Sequence, residues 1–182
     1  LVEDTDYTLS YVDNINVGKA TVTVTGIGNY TGTKEVTFDI TPASLTITAD
    51  DTTREFGEAD PTLTVSYAGF VNAENQEDLS GTLSISRVAG ESVATYAITA
   101  SGFTSTNYAL TYTAGTFTIT SKSITDTDIT VAPINDLVYT SLLQTPSPAV
   151  KDGATVLVED TDYTLSYVDN INVGTATVTV TG

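Results

Sequence analysis

Short runs in which apolar residues alternate with threonine or serine constrain the fold of this chain more than any other feature. A period of two places the apolar side chains on one face of a strand and the hydroxyl side chains on the other. The β-branched and aromatic residues in these runs favour the same conformation. The pattern therefore predicts an all-β chain of short strands. The clearest runs are Leu45–Thr48, Leu63–Tyr67, Leu83–Ser86, Tyr96–Thr99, Leu110–Thr113 and Phe117–Thr120.

Glycine and proline separate these runs, and they are the residues that turns require. Short strands with regular turn signals predict small β-sandwich-like modules. Helical periodicity is weak throughout, and Val71–Leu79 has room for one helical turn at most. The expected turn positions are Gly57, Asp60-Pro61, Gly69, Gly81, Gly90, Gly102 and Gly115.

The chain also repeats itself. Leu1–Gly26 recurs as Leu157–Gly182, and the two copies differ at one position, where Lys19 is replaced by Thr175. The copies begin 156 residues apart, which is a long period for a single repeat unit. A shorter repeat inside this period is therefore expected.

Two weaker similarities supply that shorter repeat. Asn16–Thr23 aligns with Ser92–Thr99 at an offset of 76 residues, and Thr37–Thr41 aligns with Thr116–Thr120 at an offset of 79. The growing offset indicates a longer loop in the second segment. We infer two related module types that alternate, and we name them type A and type B.

The predicted boundaries follow from this alternation. Residues 1–41 are the C-terminal part of a type A module, residues 42–120 a complete type B module, and residues 121–182 the N-terminal part of the next type A module. We expect the chain to be a window from a longer A-B-A-B array in which the residues after Gly182 resemble Ile27–Thr41. The Thr41-Pro42 and Thr120-Ser121 junctions are too short for flexible linkers, so the pattern predicts an extended rod-like array.

Composition excludes several classes of partner and chemistry. The net charge of -17, from 23 acidic and 6 basic residues, disfavours nucleic acid and anionic membrane surfaces, which both attract basic proteins. No apolar window is long enough to insert into a membrane. Cysteine and histidine are absent, so the chain lacks the commonest general base, the best nucleophile and most zinc ligands. We predict no enzymatic activity and no cofactor.

Paired aspartates are the weak candidates for a metal site. Calcium takes six to eight oxygen ligands, and an Asp-x-Asp pair beside turn carbonyls can begin such a site. A complete D-x-D-x-D-G loop does not occur, and aspartate is also favoured in solvated turns. Calcium and simple turn residues thus remain alternative interpretations. The candidates are Asp4, Asp6, Asp50, Asp51, Asp126, Asp128, Asp160 and Asp162.

Most tyrosines are expected to bury their rings and to hydrogen-bond their hydroxyl groups. An exposed tyrosine could instead stack on a sugar ring. The residues predicted to be buried are Tyr7, Tyr11, Tyr30, Tyr67, Tyr96 and Tyr108.

The segment from Arg54 to Thr120 resembles the MBG domain family, whose members occur in tandem in very large bacterial surface proteins. The resemblance covers most of the type B module, and the type A module is similar to a sister repeat of such proteins. The resemblance implies an extracellular stalk or adhesive function at the bacterial cell surface. It does not identify catalytic or ligand-binding residues in this chain. The segments that carry it are Phe56–Pro61, Gly69-Phe70, Leu79–Gly81, Gly90-Glu91, Tyr96–Ile98, Asn107-Tyr108 and Phe117.

Our first functional hypothesis is a structural segment of the stalk of an adhesin or surface filament. The alternatives are a module that binds glycan or host protein directly, and self-association through exposed strand edges. Residues 121–182 are predicted to lack the last strand of their module, which leaves an open sheet edge. Ile27–Thr41 of a second molecule is expected to be able to pair with that edge.

Overall fold

The fold is all-β, as the alternation predicts. The computed structural model describes residues 1–182, and 49% of them lie in strands. One turn of 3-10 helix, Gln76–Asp78, lies where a single helical turn was expected. The strands are β1 Tyr7–Val12, β2 Gly18–Gly26, β3 Thr33–Ile40, β4 Ala43–Ala49, β5 Thr52–Glu55, β6 Val65–Ala68, β7 Ser80–Arg87, β8 Ala94–Thr104, β9 Tyr108–Thr113, β10 Gly115–Thr120, β11 Ile129–Val131, β12 Val150–Asp152, β13 Thr155–Val156, β14 Thr164–Val168 and β15 Thr177–Thr181.

The chain forms two compact units. The first contains residues 1–54 and 58–120, and the second contains residues 55–57 and 121–182. The predicted module boundary at residue 41 falls inside the first unit. That boundary and the rod-like array stay predictions.

The first unit begins with an antiparallel sheet in the order β1-β2-β3. The central strand β2 is paired along both of its edges. Its pairing with β3 runs from Gly18 opposite Ile40 to Thr25 opposite Thr33, and it includes Ala20 opposite Phe38. Ala20 in β2 is completely buried.

Residues 42–120 form two further sheets that share a core. One sheet is antiparallel in the order β5-β10-β8-β7, and the other has the order β6-β4-β9, in which β4 pairs in parallel with β9. Leu45 and Ile47 of β4 pack with Tyr108 and with Phe103, which belongs to the other sheet. A second cluster joins Ala49 of β4 to residues of β8 and β10, among them Phe117. The alternating apolar side chains of β4 therefore face the core, as the period of two requires.

Within residues 42–120, the predicted strands and the observed strands agree closely, with one omission. All six alternating runs contribute to β4 and to β6 through β10, although Leu63 and Thr64 precede β6. The strand β5 was not predicted, because its sequence, TTRE, contains no apolar residue. It forms nevertheless as the edge strand beside β10.

Two glycines that were expected in turns lie inside strands instead, so that prediction was wrong for Gly81 and Gly102. Both have positive φ, 91° and 106°, and the pairing of β7 with β8 shifts register between Gly81 and Ser84. A Cβ atom on Gly102 would lie 2.1 Å from the carbonyl oxygen of Thr82. Glycine here permits a β-bulge and a close backbone approach rather than a turn.

The strand register agrees with the alignment of the two module types. Ala20 lies opposite Phe38 in the β2–β3 pair, and Tyr96 lies opposite Phe117 in the β8–β10 pair. Ala20 and Tyr96 are 76 residues apart, and Phe38 and Phe117 are 79 residues apart. These are the two offsets at which the sequences of the two module types align. β2–β3 and β8–β10 are thus the corresponding strand pairs of the two types.

The second unit has a small antiparallel sheet, β11-β12-β13, and the hairpin β14–β15. The hairpin repeats the register of β1–β2, since Leu165 lies opposite Val180 as Leu9 lies opposite Val24. Val150 of β12 is completely buried, and Tyr163, just before β14, is also buried.

Candidate functional site

A cluster of four charged residues is the most developed polar site in the first unit. We call it the arginine cluster: Arg54 in β5, Arg87 at the end of β7, Asp60 in the loop after β5, and Glu91 in the loop before β8. Arg54 Nε donates to Asp60 Oδ1 over 2.7 Å, and Arg87 Nε donates to Asp60 Oδ2 over 2.6 Å. Glu91 accepts from Arg87 Nη2 over 3.0 Å and also from Arg54. Each carboxylate therefore bridges both guanidinium groups.

The two arginines are buried although they are charged. Their side chains are 4% and 10% exposed. The guanidinium carbon of Arg87 lies 4.6 Å from the ring centroid of Phe117, and that of Arg54 lies 5.8 Å from it. Cations at these distances are attracted to the ring face. The arginine cluster thus covers Phe117, which is completely buried.

Hydrogen bonding dominates the electrostatics of the cluster. The bond from Arg87 holds the pKa of Asp60 below its ordinary value, although partial burial acts in the opposite direction. The same bond raises the pKa of Arg87. Both groups are therefore charged at neutral pH, and their donors and acceptors are engaged with each other. Such an arrangement fixes two loops against the core, and it offers no free nucleophile or base.

Sequence reasoning did not single out Arg54 or Arg87, although the signal was present. They are the two arginines of the chain. Their partners Asp60 and Glu91 lie in Phe56–Pro61 and Gly90-Glu91, two of the segments that carry the family resemblance. The ion pairs give a structural reason for acids at those positions.

A second polar site joins the sheet of residues 1–41 to the strands that follow. We call it the Asn107 joint, and it comprises Asn16, Val17, Ala43 and Asn107. The Val17 N–H donates to Asn107 Oδ1 over 3.0 Å, and Asn107 Nδ2 donates to Asn16 Oδ1 over 3.0 Å. The carbonyl of Asn107 accepts from the Ala43 N–H over 3.0 Å. Asn107 therefore bonds to the β1–β2 loop through its side chain and to the start of β4 through its backbone carbonyl.

The candidate calcium ligands near the two copied segments occupy matching turns. Asp4 and Asp160 have positive φ, 61° and 64°. Asp6 Oδ2 accepts from the Val2 N–H over 2.8 Å, and Asp162 Oδ2 accepts from the Val158 N–H over 2.7 Å. Backbone donors therefore already engage one carboxylate oxygen in each copy.

The remaining candidates also have partners within the chain. Asp50 accepts from the hydroxyl groups of Ser66 and Thr64. These two hydrogen bonds, chiefly the one from Ser66, lower the pKa of Asp50. Asp51 accepts from a backbone N–H over 2.6 Å.

Asp126 and Asp128 complete the candidates. The Asp126 N–H donates to the Ser123 carbonyl, and Asp128 lies 3.8 Å from Lys122 Nζ. No group of three or more acidic side chains converges as a metal ion would require. Calcium stays an alternative interpretation of these residues beside that of simple turn residues.

The tyrosine prediction was right for some residues and wrong for others. Tyr108 is buried, and its hydroxyl donates to Glu74 and accepts from the Val71 N–H. The bond to Glu74 raises the pKa of Tyr108. Tyr11 in β1 and Tyr30 in the loop between β2 and β3 are instead about half exposed.

The comparisons with known proteins agree with the fold. A family model described as the MBG domain (YGX type) matches residues 45–118. No curated protein and no solved structure matches the chain. None of its helical segments has the length and apolar character to cross a membrane. MBG domains are associated with surface proteins, and residues 45–118, with the arginine cluster at their core, belong to the MBG domain family.

Proposed function

We propose that this chain is a repeat segment of the extended stalk of a bacterial cell-surface adhesin or surface filament, located outside the cell. The Asn107 joint is the observation that carries the proposal. Two residues separate β3 from β4, and Asn107 hydrogen-bonds to both sides of that connection. A connection of this length with direct bonds restricts rotation between modules, and a stalk needs that restriction.

The copied segment supports the same function. Val17 is half buried at the Asn107 joint, whereas Val173, its counterpart in the second copy, is 88% exposed. The second copy thus presents the surface that the first copy uses at its joint. A following MBG-type module with an asparagine at the position of Asn107 would repeat the joint. Copy number would then set the length of the stalk.

The arginine cluster supports a structural rather than a catalytic role. Its acids and bases neutralise one another beside a packed ring, and they leave no reactive group. We propose accordingly that the chain is not an enzyme, needs no cofactor, and contacts chiefly its neighbouring repeats.

Small-angle scattering tests the proposed function on chains that carry one, two and three copies of the 156-residue repeat. The radius of gyration is expected to rise in proportion to the number of repeats, and to be the same in calcium and in chelator. A rise with the square root of the repeat number is the behaviour of flexibly linked modules, and it would contradict a stalk. A collapse in chelator would instead identify the paired aspartates as metal ligands.

A further inference from the structure

A shallow cavity lies beside β6, the edge strand of the β6-β4-β9 sheet. We call it the Tyr67 cavity. Tyr67 of β6 and Phe70 just after the strand line it, together with Asn75, Gln76 and Glu77 from the turn that follows. Its volume is about 420 Å³, within the range of roughly 300–1,000 Å³ that is typical of small-molecule sites. The cavity is separate from the arginine cluster and from the Asn107 joint.

Two aromatic rings form the apolar part of the cavity. The ring centroids of Tyr67 and Phe70 lie 5.6 Å apart, and the ring planes are inclined by 40°. Phe70 meets Tyr108 edge to face, and Tyr67 lies 6.5 Å from Phe103, measured between ring centroids. Both rings of the cavity are half-buried. The core therefore holds the two rings in place, while part of each ring stays accessible.

A backbone feature brings Phe70 beside Tyr67. Gly69 has a φ of 119°, and a Cβ atom at this position would lie 2.2 Å from the carbonyl oxygen of Ser44 in β4. Glycine alone allows this conformation and this close approach without strain. The chain thus turns at the end of β6 and returns Phe70 to the same edge of the sheet.

The polar wall of the cavity is fixed by hydrogen bonds. Asn75 Oδ1 accepts from the Glu77 N–H over 2.8 Å, and Asp78 Oδ2 accepts from the Asn75 N–H over 2.8 Å. The Tyr67 hydroxyl donates to Gln76 Oε1 over 2.9 Å. These bonds hold the turn against the aromatic pair, so a ligand would meet a wall that is already ordered.

Three polar groups of this wall have no partner within the chain. They are Asn75 Nδ2, Gln76 Nε2 and the Glu77 carboxylate, and all three residues are exposed. Amides donate hydrogen bonds and a carboxylate accepts them, and sugar hydroxyl groups do both. The axial C–H groups of a pyranose ring form an apolar face that packs on aromatic rings. An apolar peptide side chain would instead cover these polar groups without satisfying them.

The charge of the cavity selects among sugars. Glu77 lies in the wall, Glu74 and Asp78 are close to it in the same turn, and the whole chain has a net charge of -17. Such a field repels an anionic ligand. A neutral sugar is therefore favoured over a sugar acid.

We propose that the Tyr67 cavity binds a neutral hexopyranose unit of a glycan. The sugar face packs on Tyr67 and Phe70, and its hydroxyl groups accept from Asn75 and Gln76 and donate to Glu77. One small open site of this kind has a dissociation constant on the order of 1 mM. The proposal goes beyond the stalk and does not depend on it, because the whole site lies inside one MBG domain.

Titration of the isotope-labelled chain with methyl glycosides of glucose, galactose and mannose tests the proposal by amide chemical shifts. At least one of these neutral sugars should shift the signals of residues 67–70 and 75–77 to saturation. Unchanged signals with all three sugars at about 50 mM, well above the expected dissociation constant, would overturn the proposal.

A matched pair of sugars tests the selection by charge. Methyl β-glucuronide differs from methyl β-glucoside by a carboxylate in place of the terminal hydroxymethyl group. The glucuronide should bind at least tenfold more weakly than the neutral sugar that binds best. Equal or tighter binding of the glucuronide would overturn the assignment to neutral sugars.

Variants of the chain test the cavity as the site. Phe70→Leu keeps an apolar side chain without the ring and should weaken binding about fivefold. Phe56→Leu makes the same change at a ring that is 45% exposed outside the cavity, and it should bind as the parent chain does. Gln76→Ala removes one donor from an exposed position, where folding is not at risk, and should weaken binding about threefold. Unchanged binding by both Phe70→Leu and Gln76→Ala would overturn the proposed site.

Discussion

At the scale of single residues, the arginine cluster explains how a small MBG domain keeps charged side chains in its core. Burying an ion is costly unless its partners satisfy it. Arg54 and Arg87 share two carboxylates and lie over the ring of Phe117. The aromatic face and the acids together replace the water that the guanidinium groups lose.

Arg54→Ala is expected to lower the free energy of unfolding by about 2 kcal/mol, which is below the loss for a fully buried pair because the acids are partly exposed. Asp60 and Glu91 would each lose a partner, and a void would form over Phe117. Urea denaturation of the whole chain measures the loss. Lys34→Ala removes one positive charge from an exposed site and should change stability by less than about 0.5 kcal/mol. An equal effect of both variants would mean that net charge, and not the cluster, determines the loss.

Asp60 makes part of the stability dependent on pH. Its pKa is lower in the folded chain, chiefly because Arg87 donates to it. The stabilisation is therefore present above the unfolded-state value, about 3.9, and is lost as the pH falls through the lower folded value. The stability difference between the parent chain and Asp60→Asn should be largest at pH 7 and should shrink below about pH 4. Denaturation curves across this range measure it, and a constant difference would exclude ionisation as the cause.

At the scale of elements, alternation predicted the strands whose apolar residues make the core, and it failed where other forces set the structure. β5 has no apolar residue, but Arg54 is satisfied by Asp60 and Glu91 and is thus able to face the core. Gly81 and Gly102 read as turn residues, yet they allow a bulge between long strands. The arginine cluster and the Asn107 joint also depend on contacts between distant residues, which a local pattern does not contain.

Asn107→Ala is expected to loosen the joint between the β1-β2-β3 sheet and the MBG domain without unfolding either. Alanine cannot bridge Asn16 and Val17, whereas the backbone bond to Ala43 would persist. Residual dipolar couplings should then require separate alignment tensors for residues 7–40 and 43–120, where the parent chain requires one. Asn29→Ala changes an exposed asparagine in the loop before β3 and is the matched control. A single tensor for Asn107→Ala would show that the side chain does not hold the joint.

At the scale of the whole molecule, the family could be predicted from the order of short motifs, and the family model matches the same region. The copied hairpin could also be recognised in the sequence. A cavity beside β15 could not, because it is lined by residues from separate segments, such as Tyr139 and Val178. Sequence identity therefore predicted which strands repeat, while the structure was needed to show the cavity next to them.

The parallel pairing of β4 with β9 has a mechanical consequence. Six residues of β4, from Ala43 to Thr48, are matched with six of β9, and the chain enters the MBG domain through the first of them. A pull on the N-terminal end of β4 against the C-terminal end of β9 acts along the strands in opposite directions. The hydrogen bonds between them are then strained together in shear and cannot open one after another, as they would in a hairpin pulled from its open end. Under a pull applied at these two ends, this strand pair would resist extension as a unit.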